Sequence, residues 1–458
     1  MNVTGIIAEY NPFHLGHLHQ IAYVREKLNS DYIIVAMSGD FVQRGTPALL
    51  SKYIRAEAAL LCGADLVLEL PVQVSSASAE FFAGGAVSLL NGSGVVDQLC
   101  FGSEEGSVEG MQLAARILNE EPQGFRDLLK NSLKQGMSFP AARSQALGKY
   151  LCTLHSLSEK NLSAFSDTLL SSPNNILGIE YCRALLRLNS TIKPVTLKRE
   201  GSGYHDLTLK NNQAPSASAV RAFLSEKSGR TPSSDSVKDF SVLENMLPAA
   251  SLQLLKNAFS RQEFLTENDL DLILHYCLTG QTSEELSKYA DVSPDLAARI
   301  INCLNDYRGF CQFTELLKTK ELTHTRIQRA LLHILLQIRE TPKELSFGRV
   351  LGFRKSASPL LKEIKKRGTI PLVTKPSSSA KTFTADEKKL LDTNTAASNI
   401  YESLICHKTG RAFVHEYQKQ MILIPSSTKG VKTKHVVFPL KICKPLIISD
   451  ALIFFHVF

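Results

Sequence analysis

Short apolar segments that alternate with helical segments are the strongest constraint on how this chain folds. Four of them follow one another between residues 3 and 102, and they read VTGIIAEY, DYIIVAM, DLVLEL and VVDQLCFG. Runs of this length, separated by helical patterns, are typical of βαβ units with a parallel sheet. Ligands of such sheets bind beyond the carboxyl ends of the strands. We therefore expect the turns YNPFHLGH, SGDFVQRG, ELPV and FGSEEG to form one neighbourhood.

Composition divides the rest of the chain into further regions. A segment rich in Ser, Gly, Pro and charge, residues 225–239, predicts a boundary between a first domain at 1–230 and a mostly helical domain at 241–340. A smaller basic region follows at 345–458. The formal net charge of +8 favours an anionic partner, although it is far from a histone-like composition.

The cysteines and the chain ends bear on the cellular compartment. Nine cysteines are scattered without any C-x-x-C pair, which indicates reduced thiols rather than a zinc site or a disulfide framework. The N-terminus lacks the pattern of a secretory signal peptide. The apolar residues 445–458 are too few for a membrane span of about 20 residues. We expect a cytoplasmic protein with no membrane contact, and the sequence leaves its oligomeric state open.

The turn after the first apolar segment carries the motif H-x-G-H, formed by His14, Gly16 and His17. A glycine at the start of a helix lets the backbone approach a bulky anion, and the unpaired N–H groups there bind phosphate. Two imidazoles can donate hydrogen bonds to phosphate oxygens as charge develops on them. Two histidines at this spacing are often only a surface pair, but their position between a strand and a helix favours a phosphate site.

This context resembles the nucleotidylyltransferase superfamily, whose members attack the α-phosphate of a nucleoside triphosphate. Its second signature, a Ser/Thr-rich turn followed by arginine, matches SASAVRAF, with Ser216, Ser218 and Arg221. By itself that segment is a common helix N-cap pattern. The resemblance implies an α/β fold, in which a Rossmann-like parallel sheet of the nucleotidylyltransferase type precedes the helical region and the small basic C-terminal region.

Further ordered blocks narrow the resemblance to the tRNA(Met) cytidine acetate ligase family. They include EYNPFHLGHLHQ, SGDFVQRGTPAL, SAEFFAGGAV, SPNNILGIEYCRAL and HTRIQRALLHILL, and they extend over roughly residues 1–425. The family activates acetate with ATP as acetyl-adenylate and acetylates N4 of the wobble cytidine of elongator tRNA(Met). The chain beyond about residue 425 departs from the family pattern.

The resemblance also implies which residues bind ATP. Gly102, Asn174 and Arg199 match nucleotide-binding positions, and Asn175 is a rival to its neighbour because the sequence cannot separate adjacent asparagines. The N-terminal ATP-binding segment maps onto Ile7, Ala8, Glu9, Tyr10, Asn11, Pro12, Phe13, His14, Leu15, Gly16, His17, Leu18, His19 and Gln20.

Several polar residues near the strand ends are further candidates. We expect catalytic roles for Asp40 and Lys52, together with His14, His17, Ser218 and Arg221. Asp40 could position acetate or a water bound to Mg²⁺, or it could simply cap the turn at Gly39. No metal site built by the protein alone is predicted. Weaker candidates in the same blocks are Gln43, Arg44, Arg55 and His205.

A run of cations in the basic region suggests RNA contact. Only Glu363 opposes a set of eight cations, namely Arg349, Arg354, Lys355, Lys362, Lys365, Lys366, Arg367 and Lys375. Such a cluster can follow a phosphate backbone, although many charge runs are only solvated helix faces. Arg326, Arg329 and Arg339 could extend it.

Two other functions remain open from the sequence. A small-molecule adenylyltransferase would share the H-x-G-H core, but it needs only about one domain of 150–200 residues. A non-catalytic RNA-binding protein on the same scaffold would not need the intact pair of histidines.

Overall fold

The computed structural model describes residues 1–137, 139–154, 170, 172–199, 217–228 and 240–426. Among the residues singled out above, His205 and Ser216 lie outside this described part. So do residues 229–239 of the predicted boundary segment and the atypical tail from residue 427.

The strands form a mostly parallel sheet, which confirms the predicted α/β fold class. The described strands are β1 Val3–Ala8, β2 Tyr32–Ser38, β3 Phe41–Val42, β4 Thr46–Pro47, β5 Leu66–Leu70, β6 Gln98–Ser103, β7 Lys193–Lys198, β8 Gly348–Arg354, β9 Leu372–Val373 and β10 Ile422–Ile424. The main sheet has the order β10-β8-β5-β2-β1-β6-β7, and β9 pairs with β8. A separate antiparallel hairpin consists of β3 and β4.

Helices cover the sheet and build the region that follows it. The described helices are α1 Leu15–Glu26, α2 Lys52–Leu61, α3 Val72–Ser75, α4 Ala79–Gly92, α5 Glu109–Glu120, α6 Gln123–Lys134, α7 Phe139–Leu154, α8 Pro173–Arg187, α9 Ala217–Ser228, α10 Ser241–Glu244, α11 Ala249–Ser260, α12 Asp271–Thr279, α13 Ser283–Leu286, α14 Pro294–Cys303, α15 Phe310–Leu317, α16 His324–Leu335, α17 Ser358–Arg367, α18 Pro376–Ser379 and α19 Ala385–Thr409. Short 3-10 helices span Glu267–Leu270, Leu304–Asp306, Lys355–Ala357 and Glu416–Gln418. None of the helices in the described ranges has the length and apolarity needed to cross a bilayer.

The central strands are buried along their length, which explains their sequence pattern. Every residue of β5 is buried, and so are all residues of β2 after Tyr32. A parallel strand covered by helices on both faces reads as a continuous apolar run rather than an alternating one. The predicted strand–helix order of the first hundred residues is therefore confirmed.

Three strands of the sheet, β8, β9 and β10, come from the basic C-terminal region, for which the sequence predicts no strand. β8 pairs antiparallel with β5, so that Arg349 lies opposite Glu69, and β10 then pairs parallel with β8. Residues Met1–Pro425 pack as one compact unit. The predicted division into three domains stays a prediction.

Candidate active site at the first strand–helix turn

The H-x-G-H turn lies where β1 ends and α1 begins. His14 is the N-cap of α1, and its Nδ1 accepts a hydrogen bond from the backbone N–H of Gly16 at 3.0 Å. The backbone N–H of His14 donates in return to Nδ1 of His17 at 3.2 Å. The two imidazoles thus replace the usual Ser/Thr and Glu/Gln pair of a capping box. The motif is a structural cap as well as a candidate site.

The two rings are held face to face. Their centroids are 3.7 Å apart, with 24° between the ring planes. A Cβ atom on Gly16 would lie 2.9 Å from Cε1 of His14, closer than real Cβ contacts come. Gly16 is therefore needed because the His14 ring folds back over the start of the helix.

Hydrogen bonding and burial determine the protonation of both histidines. Each Nδ1 accepts a backbone N–H, so the proton of a neutral ring lies on Nε2. Burial, followed by the charges of Arg199 and Arg221, lowers the pKa of His14 to about 3. Burial and the neighbouring His14 hold the pKa of His17 well below its usual range. Near pH 7 both imidazoles are neutral and can donate an Nε2–H to an anion.

This burial makes stability depend on pH, and the sign follows from proton binding. His14 titrates near pH 6.5 when unfolded and near pH 3 when folded, so the unfolded chain binds more protons between these values. The contribution of His14 to the free energy of unfolding is complete above pH 6.5 and declines as the pH falls toward 3. The decline approaches about 1.4 kcal/mol per pH unit.

Between pH 7 and pH 5, we expect the free energy of unfolding to fall less for His14→Asn than for the wild type, as measured by chemical denaturation at each pH. The difference between the two losses should be about 2 kcal/mol, because the variant lacks this titration. Equal losses in the two proteins would contradict the buried neutral His14.

Arg221, from the SASAVRAF segment, contacts the H-x-G-H turn. It lies on α9, and its Nη1 donates to the backbone carbonyl of Asn11 at 2.7 Å. Its Nη2 donates to Oγ of Ser218 at 3.2 Å. A guanidinium is therefore placed at the H-x-G-H turn, where it can bind phosphate oxygens as a planar fork.

The remaining predicted nucleotide positions lie on the β6 side of β1. Gly102 is within β6, and a Cβ there would lie 3.3 Å from Cγ of Arg199, so these two residues are neighbours. Nδ2 of Asn174 donates to Glu104 just after β6. Asn175 is fully buried, and its Oδ1 accepts the backbone N–H of Glu104 at 3.0 Å. This geometry favours Asn174 over Asn175 as the ligand-facing residue.

Several residues of the segment 7–20 are buried and pack next to the histidine turn. Ile7, Tyr10 and Phe13 are buried in the core, and the Tyr10 ring packs edge-on at 4.8 Å from His17. Gln20 ties α1 to β6 by donating to the carbonyl of Cys100 at 3.0 Å. His19 is exposed. Direct nucleotide contact by each member of this segment stays a prediction.

Lys52 and Asp40 belong to a buried charge network that we call the Lys52 network, formed by Lys52, Asp40, Glu69, Arg349 and Glu416. Nζ of Lys52 lies 2.7 Å from Glu69 Oε1, 2.6 Å from Glu416 Oε1 and 3.6 Å from Asp40 Oδ2. Burial alone would lower the pKa of Lys52, but the carboxylates of Glu416 and Glu69 outweigh it and raise that pKa. The network gives both residues a clear structural role, and their catalytic role stays a prediction.

Arg349 and Glu416 are the members of this network that sequence reasoning missed. Arg349 reaches Glu69 at 3.2 Å and Glu416 at 2.7 Å. Its inclusion in the surface cation run was wrong, because it is 5% exposed and ion-paired. The available signal was Glu69 itself, a carboxylate within the apolar strand DLVLEL, which needs a buried cation.

Most of the other predicted RNA-contacting cations are at the surface. Lys355, Lys365 and Lys366 are exposed, whereas Leu360 and Ile364 bury the opposite side of α17. Arg354 and Arg326 are partly exposed. Arg329 departs from the pattern, because its Nε forms an ion pair with Asp291 at 2.8 Å.

Arg55 and Arg44, the weaker candidates, differ in position. Arg55 is buried and donates to the carbonyls of Glu9, Ser38, Gly39 and Leu50, so it holds the ends of β1 and β2 together. Arg44 lies partly exposed in the β3–β4 hairpin, and Gln43 donates its backbone N–H to Glu9 at 3.0 Å.

Comparisons with known proteins identify the family of the chain. The family model described as HIGH Nucleotidyl Transferase matches residues 1–415. The tRNA(Met) cytidine acetate ligase of Clostridium acetobutylicum is 43% identical over 386 residues, which cover 82% of this chain and 90% of that protein. The protein of the same name from Acetivibrio thermocellus is 38% identical over 89% of this chain and 96% of its own length.

Solved structures share the fold as well. Thermotoga maritima TmcAL bound with alpha-thio ATP has a TM-score of 0.82 and 30% identity, covering 93% of this chain and 100% of that one. Its apo form has a TM-score of 0.85 with the same identity. The chain therefore belongs to the tRNA(Met) cytidine acetate ligase family, within the HIGH nucleotidyl transferases.

Proposed function

We propose that this protein is an ATP-dependent ligase that activates acetate and acetylates N4 of the wobble cytidine of elongator tRNA(Met). The observation that carries the proposal is the pair of neutral imidazoles, His14 and His17, at the start of α1 beside Arg221. Membership in the tRNA(Met) cytidine acetate ligase family, over most of the chain, supports acetate and tRNA(Met) as the substrates.

The first step is the attack of an acetate oxygen on the α-phosphorus of ATP. A new O–P bond forms, the bond from the α-phosphorus to the oxygen that bridges to the β-phosphate breaks, and pyrophosphate leaves. The acetate oxygen is itself the nucleophile, so the protein needs to position the reactants and stabilise charge. The Nε2–H groups of His14 and His17 donate to the phosphate oxygens, and Arg221 balances their charge.

The second step transfers the acetyl group. The N4 amine of cytidine adds to the acetyl carbonyl carbon, the amide C–N bond forms, and the C–O bond to AMP breaks. AMP leaves with the electron pair, and N4 releases one proton. Ser218, which accepts from Arg221, helps to fix the guanidinium through both steps.

Asp40 does not fit as a magnesium ligand. Its Oδ1 accepts the backbone N–H of Lys52 at 2.9 Å, and its other oxygen faces the Lys52 ammonium. No cluster of three or more metal-ligating side chains occurs in the part of the chain that the structure describes. Mg²⁺ commonly binds through substrate phosphates. Its arrival with ATP stays a prediction that no step above uses.

We propose that the exposed cations around α17 contact the tRNA backbone. Lys355, Lys365 and Lys366 lie within twelve residues of one another, and all three are exposed. Arg354 and Arg326 complete the proposed surface, and the ion pair of Arg329 with Asp291 makes it the weakest member.

We expect Lys365→Gln/Lys366→Gln to weaken tRNA binding and to lower the slope of log affinity against log salt by about 2, one unit for each lost phosphate contact. Acetate-dependent ATP–pyrophosphate exchange should not change. The matched control is Lys388→Gln/Lys389→Gln, two adjacent exposed lysines on α19. The same salt slope in both double variants would contradict the proposed surface.

The function is tested by incubation with ATP, radiolabelled acetate and unmodified elongator tRNA(Met), followed by nucleoside analysis of the RNA. Label in N4-acetylcytidine supports the proposal. ATP consumption without labelled RNA would instead indicate a small-molecule adenylyltransferase. Bound tRNA without ATP consumption would indicate a non-catalytic RNA-binding protein. Neither alternative is favoured, because relatives that bear the ligase name match over most of their own length.

A further inference from the structure

A polar cavity of about 220 Å³ opens beside the H-x-G-H turn. Its walls come from the end of β1, the β3–β4 hairpin, α9, the 3-10 helix Glu267–Leu270 and the first turn of α16. The side chains that matter here are those of Glu9, Asn11, Arg44, Arg221, Glu267 and Gln328. A space of this size admits one small planar ring.

The cavity lies on the opposite side of β1 from Gly102 and Arg199, and it shares Glu9 and Asn11 with the predicted ATP-binding segment. Gly102 and Arg199 belong to the β6 and β7 side of the sheet, whereas Arg44 and Glu9 lie at the β2 side. Arg221 contributes to the cavity and also contacts Asn11 of the histidine turn. A group in this cavity would therefore lie beside Arg221 and the histidine turn.

Gln328 places a side-chain amide in the wall of the cavity, where a polar ligand can contact it. Its side chain is only 7% exposed and lines the cavity, and its amide makes no hydrogen bond with any residue that the structure describes. The amide atoms are not among the fully buried polar atoms of the described residues, so they reach the solvent of the cavity and are available to a ligand there. Gly45 of the hairpin packs against the α16 backbone, so closely that a Cβ on Gly45 would lie 2.3 Å from the backbone nitrogen of Arg329. This contact fixes the backbone that carries Gln328.

The charges in the cavity select among possible ligands. Two carboxylates, Glu9 and Glu267, line it together with two guanidinium groups, Arg44 and Arg221. The two carboxylates offset the two guanidinium charges, so the cavity has no excess of positive charge for a triphosphate. A cytosine instead presents an amine donor beside two acceptors, which complements a wall of mixed carboxylate, guanidinium and amide groups. Proteins commonly read unstacked RNA bases in this way, by hydrogen bonds to the Watson–Crick edge.

We propose that this cavity receives the acceptor cytosine and that Gln328 reads its Watson–Crick edge. The inference rests on the proposed function and adds to it the site that chooses the base. It also gives α16 a role in base recognition, separate from the phosphate contacts expected of the exposed cations.

The test separates the two half-reactions in the full chain. Gln328→Leu removes the amide and keeps a similar volume. We expect acetyl transfer to elongator tRNA(Met) to fall about 10-fold to 100-fold, the effect of one lost buried hydrogen bond. Acetate-dependent ATP–pyrophosphate exchange should remain within about twofold of the wild type, because Gln328 is not among the predicted ATP-binding or catalytic residues. The control is Gln253→Leu, an exposed glutamine on α11.

A binding experiment tests base reading without turnover. The wild type should bind tRNA with the natural wobble cytidine more tightly than the same tRNA with uridine there, and Gln328→Leu should reduce this difference. Phosphate contacts are the same in both RNAs, so they cannot produce a difference in affinity between the two. Equal binding of the two RNAs by the wild type, or unchanged discrimination by the variant, would overturn the inference. So would an equal loss in both half-reactions. If the wild type exchanges pyrophosphate but acetylates no tRNA, the proposed function itself fails, and this inference fails with it.

Discussion

His14→Asn/His17→Gln is expected to lower acetate-dependent ATP–pyrophosphate exchange by about a thousandfold or more. Loss of one preorganised donor to a developing anion typically costs about a hundredfold to a thousandfold, and two donors that act together are not additive. Both Nε2–H groups disappear in this variant. The replacement residues are those of an ordinary capping box, with Asn at the N-cap and Gln at the third helical position. The start of α1 should therefore remain folded.

The control for this experiment is His407→Asn, which changes an exposed histidine on α19. It should leave exchange unchanged. Circular dichroism and a denaturation midpoint should show that the double variant is folded. A folded double variant with exchange close to the wild-type rate would show that the two histidines are only a helix cap.

Lys52→Met is expected to lower the free energy of unfolding by about 3–5 kcal/mol, the usual cost of removing one partner from a buried ion pair. The substitution leaves Glu69 and Glu416 to share Arg349 as their cation. Burial raises the pKa of Glu416, but Lys52 and then Arg349 outweigh it and lower that pKa to about 2, so the substitution removes the larger of the two stabilising cations. Chemical denaturation at pH 7 measures the effect.

The matched control is Lys389→Met, which removes a lysine paired with Glu340 at 3.2 Å on the surface. Exposed pairs of this kind contribute at most about 1 kcal/mol. Equal effects of the two substitutions would contradict the importance of the Lys52 network. A Lys52→Met protein of normal stability that has lost exchange would instead support the catalytic role predicted from the sequence.

The candidate site was predictable from the sequence wherever the signal was local. His14, Gly16 and His17 follow an apolar strand and begin a helix, and that context suffices for a phosphate turn. The imidazole capping box was not predictable, because histidine is not a usual capping residue. Nor was the difference between Asn174 and Asn175, because both side chains contact Glu104 and only the tertiary structure shows that Asn175 is the fully buried one.

The parallel sheet was predictable from the sequence, because buried parallel strands carry their pattern in consecutive residues. The mostly helical nature of residues 241–340 was predictable as well. Only the tertiary structure showed that β8 joins the sheet antiparallel to β5, that Arg349 is buried beside Glu69, and that Gln328 faces the cavity. Each of these depends on contacts between residues far apart in the chain. Local periodicity reports which face of a strand or helix is buried, but it does not report which distant residue covers that face.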